Sequence, residues 1–214
     1  LASVPEAMCN VNIDIERLYA KRTAIGIGPG LEIGEEQKQL CYDVFKYYLG
    51  PMVIDATALD FLPSFLQEHQ LPVNTIITPH IGEFDKCFGK SNNDFDRLKL
   101  AQAKANELEI FIILKGACTA IVTPERKVYF NSTGNAGMAK GGSGDILAGL
   151  LTSLLASGYE SLNAAILGTW IHGAAGDLAA AKLTPEAMNG TDIIDQIPGA
   201  WKLLNKMTGH SSLK

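Results

Sequence analysis

"PMVIDATALDFLPSFLQEHQLPVNTIITPHIGEFDKCFG", residues 51–89, holds two strand-then-helix units in succession. "PMVIDA" (51–56) is a short apolar run that closes near a carboxylate, Asp55. "TALDFLPSFLQEH" (57–69) has helical spacing and predicts helical turns interrupted at Pro63, which lacks an N–H and crowds the preceding turn. "VNTIITPH" (73–80) is the next strand, and "IGEFDKCFG" predicts a short helix stopped at Gly89. Strands that alternate with helices in this way build a mostly parallel sheet with helices on its faces.

The same rhythm extends in both directions. Upstream, "TAIGI" (23–27) is a strand that ends in Gly28-Pro29-Gly30, and the Pro-free, Gly-free run 35–48 predicts a helix. Downstream, an amphipathic helix over 93–107 leads into the strand "IFIILKG" (110–116). The strands therefore end at Gly28/Gly30, Asp55, His80 and Lys115. Open α/β sheets bind ligands outside the carboxyl ends of their strands, so these groups are expected to line one crevice. After Gly116 the rhythm changes: "ACTAIVTP" and "KVYFN" predict an antiparallel hairpin turning around Glu125-Arg126. The end of the chain is helical, over 145–157, 161–181 and 191–206. In the first of these, Ile146, Leu150 and Leu154 run beside Leu147, Leu151 and Leu155, a stripe wide enough to pack on a core. With no repeat, low-complexity tract or linker, the expectation is one α/β domain over 1–214 with a C-terminal helical segment.

Bulk properties narrow the function. Of 214 residues 47% are hydrophobic and 19% charged, the balance of a globular chain, and the net charge of −5 argues against nucleic acid as a partner. No window reaches the roughly 18 consecutive apolar residues that span a bilayer, so no membrane is expected. Cys9, Cys41, Cys87 and Cys118 form no C-x-x-C pair and read as reduced, mostly buried thiols of a cytoplasmic protein. The chain begins at Leu1, without methionine, in a segment that resembles the middle of a domain, and an N-terminal truncation is expected.

The chemistry concentrates in "NSTGNAGMAKGGSGD" (131–145), with five glycines ahead of Asp145. Successive N–H groups in such a loop form an anion nest, and a helix beginning near Ser143 adds its free N–H groups and dipole. Asp145 then has two readings: a first-turn acid that gains a few tenths of a kcal/mol from the helix dipole, or a base for a substrate hydroxyl beside a phosphate hole. No G-K-[S/T] follows the glycines, so this is not the P-loop pattern. His80 caps a strand end or touches substrate; it stands three residues from Glu83, but no third ligand recurs nearby and zinc is not expected. Lys115 reads as a surface lysine or as a phosphate or ribose contact. The small residues around His172 and Asp177 favour close helix packing and a structural role, with a nucleotide-side contact as the alternative, Trp170 and Trp201 read as core, and Asp192 as a helix-start residue.

The run 131–158 resembles the signature of the ADP- or ATP-dependent NAD(P)H-hydrate dehydratases of the ribokinase-like superfamily. "IGIGPGL" (25–31), "VIDATAL" (53–59), "ITPHIGEF" (77–84), "ILKGACTAIV" (113–122) and "HGAAGDLAA" (172–180) are similar to the family's other motifs, in the same order. The resemblance implies a ribokinase-like fold and repair of hydrated NADH or NADPH by phosphorylation of the ring hydroxyl and loss of phosphate. It implies Asp145 as catalytic base, Gly142, Ser143 and Gly144 as the anion hole, and Gly144 also at the nucleotide. Lys115, Gly116, Ala117, Cys118 and Thr119 match the nucleotide-binding "KGxxT" stretch; Gly30 and His80 match contacts to the hydrated dinucleotide. Glu83 matches an acidic position that reaches Mg²⁺ through water. Asn135 and Met138 belong to the signature without an assigned role. The donor is ADP or ATP, and a homo-oligomer, fused to or paired with an epimerase, is expected.

One departure is Thr57, which stands where family members often carry a second aspartate and leaves the role of Asp55 open. Two other readings compete. A ribokinase-like kinase of a hydroxymethylpyrimidine or thiazole alcohol shares the glycine-aspartate motif. A nucleotide-binding protein without catalysis is the second, and the intact glycines and Asp145 argue against it.

Overall fold

The computed structural model describes residues 23–209, and the expectations that rest on Leu1 and Cys9 lie outside them. A six-stranded sheet carries β1 (Ile25–Ile27), β2 (Met52–Ile54), β3 (Ile76–Ile77), β4 (Phe111–Leu114), β5 (Ala120–Val122) and β6 (Val128–Phe130), adjacent in space in their chain order. The first four are parallel, while β5 pairs antiparallel with both β4 and β6. The helices are α1 (Glu35–Tyr47), α2 (Thr57–Phe65), α3 (Ile81–Phe88), α4 (Asp94–Leu108), α5 (Ser143–Ala156), α6 (Ser161–Leu183) and α7 (Gly190–Met207).

The inner strands β2 to β5 read as continuous apolar runs because both faces of the sheet are covered there. Ile25, Ile27, Met52, Ile54, Ile77 and Ile112 face a core built with α1 to α4. Val53, Ile76, Phe111, Ile113 and Ile121 face the opposite way, against Leu147, Leu151, Leu154 and Leu155 of α5 and Ala164 and Ala165 of α6. Sequential parallel strands with right-handed crossovers put every connecting helix on one face, which leaves the other for the C-terminal helices. This is the layered α/β arrangement that the alternation of strands and helices predicts. In the first core Phe65 is fully buried and meets Phe45 edge-on, with ring centroids 5.2 Å apart. A side chain of that size contributes about 2–3 kcal/mol through burial.

Three local expectations change. Pro63 does not interrupt α2, which runs through it to Phe65. Proline cannot offer Leu59 the usual N–H, and the Cys87 thiol of α3 donates to the Leu59 carbonyl instead, at 3.3 Å. Among the described residues the thiols of Cys41, Cys87 and Cys118 are free; Cys41 is fully buried, Cys87 half-buried and Cys118 exposed in the β4–β5 loop. Burial pushes the Cys41 and Cys87 thiols up to about 12. Trp170 and Trp201 are half-buried at the edge of the α6–α7 cluster, not inside it. Asp192 starts α7 as expected: its carboxylate accepts from the Asn189 N–H at 2.8 Å. Among the described residues no helix is long and apolar enough to cross a membrane.

Candidate active site

The strand ends converge. Asp55, one residue past β2, is 1% exposed, and its Oδ1 lies 2.8 Å from Lys115 Nζ, one residue past β4. Between them, His80 bridges to Lys115 as a one-residue extension of the parallel ladder, with the Lys115 N–H donating to the Pro79 carbonyl at 2.9 Å. Lys115 is therefore a paired and largely buried lysine and not a free surface one. Its ammonium also lies 3.8 Å from Glu83 Oε2. Ala56, beside the pair, takes φ +49° and ψ −132°. Such a backbone costs on the order of 1–3 kcal/mol in an L-residue and persists only where its surroundings impose it. Thr57 donates to the Leu31 carbonyl at 2.9 Å, so the hydroxyl in place of a carboxylate ties the β1–α1 loop to the start of α2.

His80 is the N-cap of α3. Its Nδ1 accepts from the Glu83 N–H at 3.1 Å while Glu83 Oε2 accepts from the His80 N–H at 2.7 Å, a reciprocal capping box. The ring itself remains 59% exposed, which leaves its outer edge for a ligand. Capping and ligand contact are both open to one residue.

The glycine-rich run ends as predicted, with α5 beginning at Ser143. Gly142 holds φ +87° at the N-cap, a left-handed turn that favours glycine and frees the first N–H groups of the helix. A β-carbon at position 144 would lie 3.3 Å from Lys115 Nζ and 3.6 Å from Asp55 Oδ2, so the helix start seats directly on the ion pair. Ser143 Oγ lies 3.3 Å from His172 Nε2 of α6. Burial pulls the His172 imidazole down to about 4 against an opposing hydrogen bond to the Ser143 backbone, with the positive charge of Lys115 adding to the fall, so the ring is neutral at pH 7.

Residues 131–140 are held by side chains of α6 and of the loop itself, and Asp177 has the structural role expected of it. Asp177 of α6 accepts from the Gly134 N–H at 2.9 Å and from Asn135 Nδ2 at 3.0 Å. Asn135 in turn caps the 3₁₀ turn Ala136–Met138 through the Gly137 N–H. Lys140 donates to three carbonyls of the α6–α7 connection, those of Pro185, Glu186 and Met188. Gly173 and Gly176 give the close packing expected around Asp177, but what approaches them is the loop, at Thr133 and Met138.

A cavity of about 830 Å³ opens between these parts. Of the residues singled out from sequence, His80, Lys115, Gly116, Ala117, Thr119, Ser143 and Gly144 line it. Asn131, Thr133, Asn135, Lys140, Thr169 and His172 line it as well. Gly30, Glu83, Cys118, Gly142 and Asp145 are not among its lining residues. Glu83 reaches it only through its contacts with His80 and Lys115, and Asp145 is exposed, one position beyond Gly144 on α5. Among the described residues no three His, Cys, Asp or Glu side chains gather as a metal cage. Glu83 already accepts from the His80 N–H and faces an ammonium, so this donor set does not fit a resident divalent cation.

Comparison with known proteins gives a consistent picture. The sequence profile of the NAD(P)H-hydrate dehydratase family matches residues 1–199. The chain is 38% identical over 189 residues to the bifunctional NAD(P)H-hydrate repair enzyme Nnr of Moorella thermoacetica, covering 86% of this chain and 35% of the relative. It is 33% identical over 181 residues to the ADP-dependent (S)-NAD(P)H-hydrate dehydratase of Bacillus subtilis, covering 84% of this chain and 64% of that one. The chain thus spans about a third of the length of the bifunctional relative. A crystal structure of the Bacillus subtilis ADP/ATP-dependent NAD(P)H-hydrate dehydratase, co-crystallised with ATP/Mg²⁺, superposes with a TM-score of 0.75 at 30% identity, covering 86% of this chain and 66% of that one. Hydroxyethylthiazole kinase of Pyrococcus horikoshii superposes with a TM-score of 0.68 at 16% identity, covering 84% of this chain and 71% of that one, a likeness of fold.

Proposed function

This chain belongs to the NAD(P)H-hydrate dehydratase family, and on that footing we propose that it uses ADP or ATP to dehydrate hydrated NADH or NADPH. The observation that carries this reading is the convergence of the Lys115–Thr119 loop, residues 131–140 and the start of α5 on one cavity. Its volume of about 830 Å³ lies within the range of small-molecule and cofactor sites, about 300–1,000 Å³.

In this reading the adenine nucleotide lies along the Lys115–Thr119 loop, with its terminal phosphate against Ser143 and Gly144. The N–H groups at the helix start collect the charge that develops on the transferring phosphoryl group. The hydrated ring enters beside His80, with Gly30 on the same side. Asp145 takes the proton of the ring hydroxyl as its oxygen attacks the terminal phosphorus, and AMP leaves from ADP or ADP from ATP. The ring carbon–oxygen bond then breaks with phosphate as leaving group. The ring nitrogen supplies the electron pair, the adjacent carbon loses a proton, and the double bond re-forms. Phosphorylation makes chemical sense because hydroxide leaves poorly near neutral pH and phosphate leaves well. Any Mg²⁺ arrives on the phosphates with its waters, and no step here uses a metal held by the chain.

ADP is the donor that the Bacillus subtilis relative supports. The bifunctional relatives support an epimerase working beside this chain. Assembly into a homo-oligomer and a cytoplasmic location belong to the same reading. Kinase activity on a vitamin-precursor alcohol has the shared fold and the glycine-aspartate motif in its favour, and no family match. Asp145→Asn tests the assignment of the base: turnover of hydrated NADH should fall by about 10³-fold or more while ADP affinity stays within a few-fold of the original. Equal loss of both would make Asp145 a structural residue.

A further inference from the structure

The start of α5 offers one side-chain hydroxyl to the cavity, that of Ser143, and its neighbour is an imidazole from a different helix. We propose that His172 is a positioning residue for the anion site: it donates through Nε2–H to Ser143 Oγ and leaves that hydroxyl's own proton aimed at an incoming phosphate. The identity of the anion rests on the nucleotide reading above.

A serine hydroxyl has one proton and two acceptor lone pairs. Ser143 Oγ is 3.3 Å from His172 Nε2, Ser143 is 7% exposed, and the Ser143 backbone also hydrogen-bonds the ring, so the imidazole is held against the start of α5 at two points. An imidazole that accepted from Ser143 would consume the only proton the hydroxyl has. An imidazole that donates leaves the proton free on the cavity side, where the N–H groups of α5 already converge. Burial keeps the ring neutral, so one ring nitrogen carries a proton and the tautomer decides the direction of the bond.

Two further observations give the pair a purpose. Lys115, the cation beside the helix start, is already paired with Asp55 at 2.8 Å, which raises the weight of neutral donors at this spot. His172 also sits on a backbone that is held in place. Thr133 donates to the Trp170 carbonyl at 3.0 Å, Asn131 to the Thr169 carbonyl at 3.4 Å, and Gly173 packs so tightly on Thr133 that a β-carbon would fall 2.2 Å from its hydroxyl. A ring anchored this way can hold a hydroxyl in one direction. One turn back on α6, the buried Thr169 hydroxyl has no hydrogen-bond partner and lines the same cavity.

The test uses the full chain and four variants: Ser143→Ala, His172→Ala, the double variant and His172→Gln, whose amide N–H reaches about as far as Nε2. ADP affinity by calorimetry, kcat and KM with hydrated NADH, and melting temperature are measured for each. Ser143→Ala and His172→Ala should each lower kcat by about tenfold or more, the double variant should be no worse than either, and His172→Gln should recover most of the loss. Losses that multiply in the double variant, or a His172→Gln variant as impaired as His172→Ala at an unchanged melting temperature, would overturn the proposal. If His172→Ala does not fold, the comparison of His172→Gln with Ser143→Ala decides. Wild-type protein that binds ADP without turnover sinks the dehydratase reading alone, since the same non-additivity is then read in ADP affinity.

Discussion

Lys115 Nζ lies 2.8 Å from Asp55 Oδ1, although 60 positions separate the two residues in the chain. The partners are unequally buried, with 2% of the Asp55 side chain and 21% of the Lys115 side chain exposed. Removing the lysine strands a carboxylate in the interior; removing the carboxylate leaves an ammonium that reaches solvent and still has Glu83 at 3.8 Å. Lys115→Met should therefore cost about 3–5 kcal/mol and Asp55→Asn about 1–2 kcal/mol. Urea titration of both variants gives the order, and the reverse order would contradict the unequal burial.

His172 makes stability depend on acid. In the unfolded chain its imidazole gains a proton near 6.5, while in the folded protein it stays neutral down to about 4. Between these values the unfolded state binds more protons, so this contribution to stability is complete above about pH 6.5 and is lost as pH falls toward 4. The loss amounts to about 3 kcal/mol. The wild-type minus His172→Gln difference in urea stability, measured at pH 7.5 and again near the lower end of that window (about pH 4.5), should shrink or reverse by that order. An unchanged difference would mean that the ring is not desolvated.

Pro63 and Cys87 should be coupled. Cys87→Val leaves the Leu59 carbonyl without its donor and should cost about 1–3 kcal/mol. In a Pro63→Ala background a backbone N–H becomes available to the same carbonyl, and the cost of Cys87→Val should fall by at least about half. Equal costs in the two backgrounds would sever the thiol from the missing N–H.

The two α6 glycines under the loop should differ. A β-carbon at 173 meets Thr133 backbone at 2.7 Å, whereas at 176 it meets the Met138 side chain, with Sδ at 2.2 Å. Methionine moves aside readily and backbone does not. Gly173→Ala should lower ADP affinity by about tenfold or more and cost about 1–3 kcal/mol, with Gly176→Ala changing affinity by less than about threefold. Calorimetry and melting curves measure both.

The sheet was legible because apolar runs such as Met52–Ile54 and Phe111–Leu114 end in punctuating residues, and its parallel start follows from the helices between them. Gly89 at the end of α3 and Ser143 at the start of α5 were readable for the same local reason. The Asp55–Lys115 pair was not, since no local pattern links two strand ends 60 residues apart. Nor were the partners of Asp177 and Lys140, which lie about 40 or more positions away in the chain: the Gly134 N–H and Asn135 amide for Asp177, and backbone carbonyls for Lys140. Pro63 was misread because propensity counts the lost N–H and cannot count the thiol that replaces it. The motifs named Asp145, but only the fold shows that it stands outside the cavity lining while Ser143 and Gly144 lie within it.

The proposed reaction can be measured on its own terms: the full-length protein is mixed with hydrated NADH, Mg²⁺ and either ADP or ATP, and the reduced-nicotinamide absorbance is followed. Recovery of that absorbance with at least one nucleotide, and none without nucleotide, is the predicted result. No recovery with either nucleotide would contradict the assignment of this cavity as a nucleotide-driven dehydratase site.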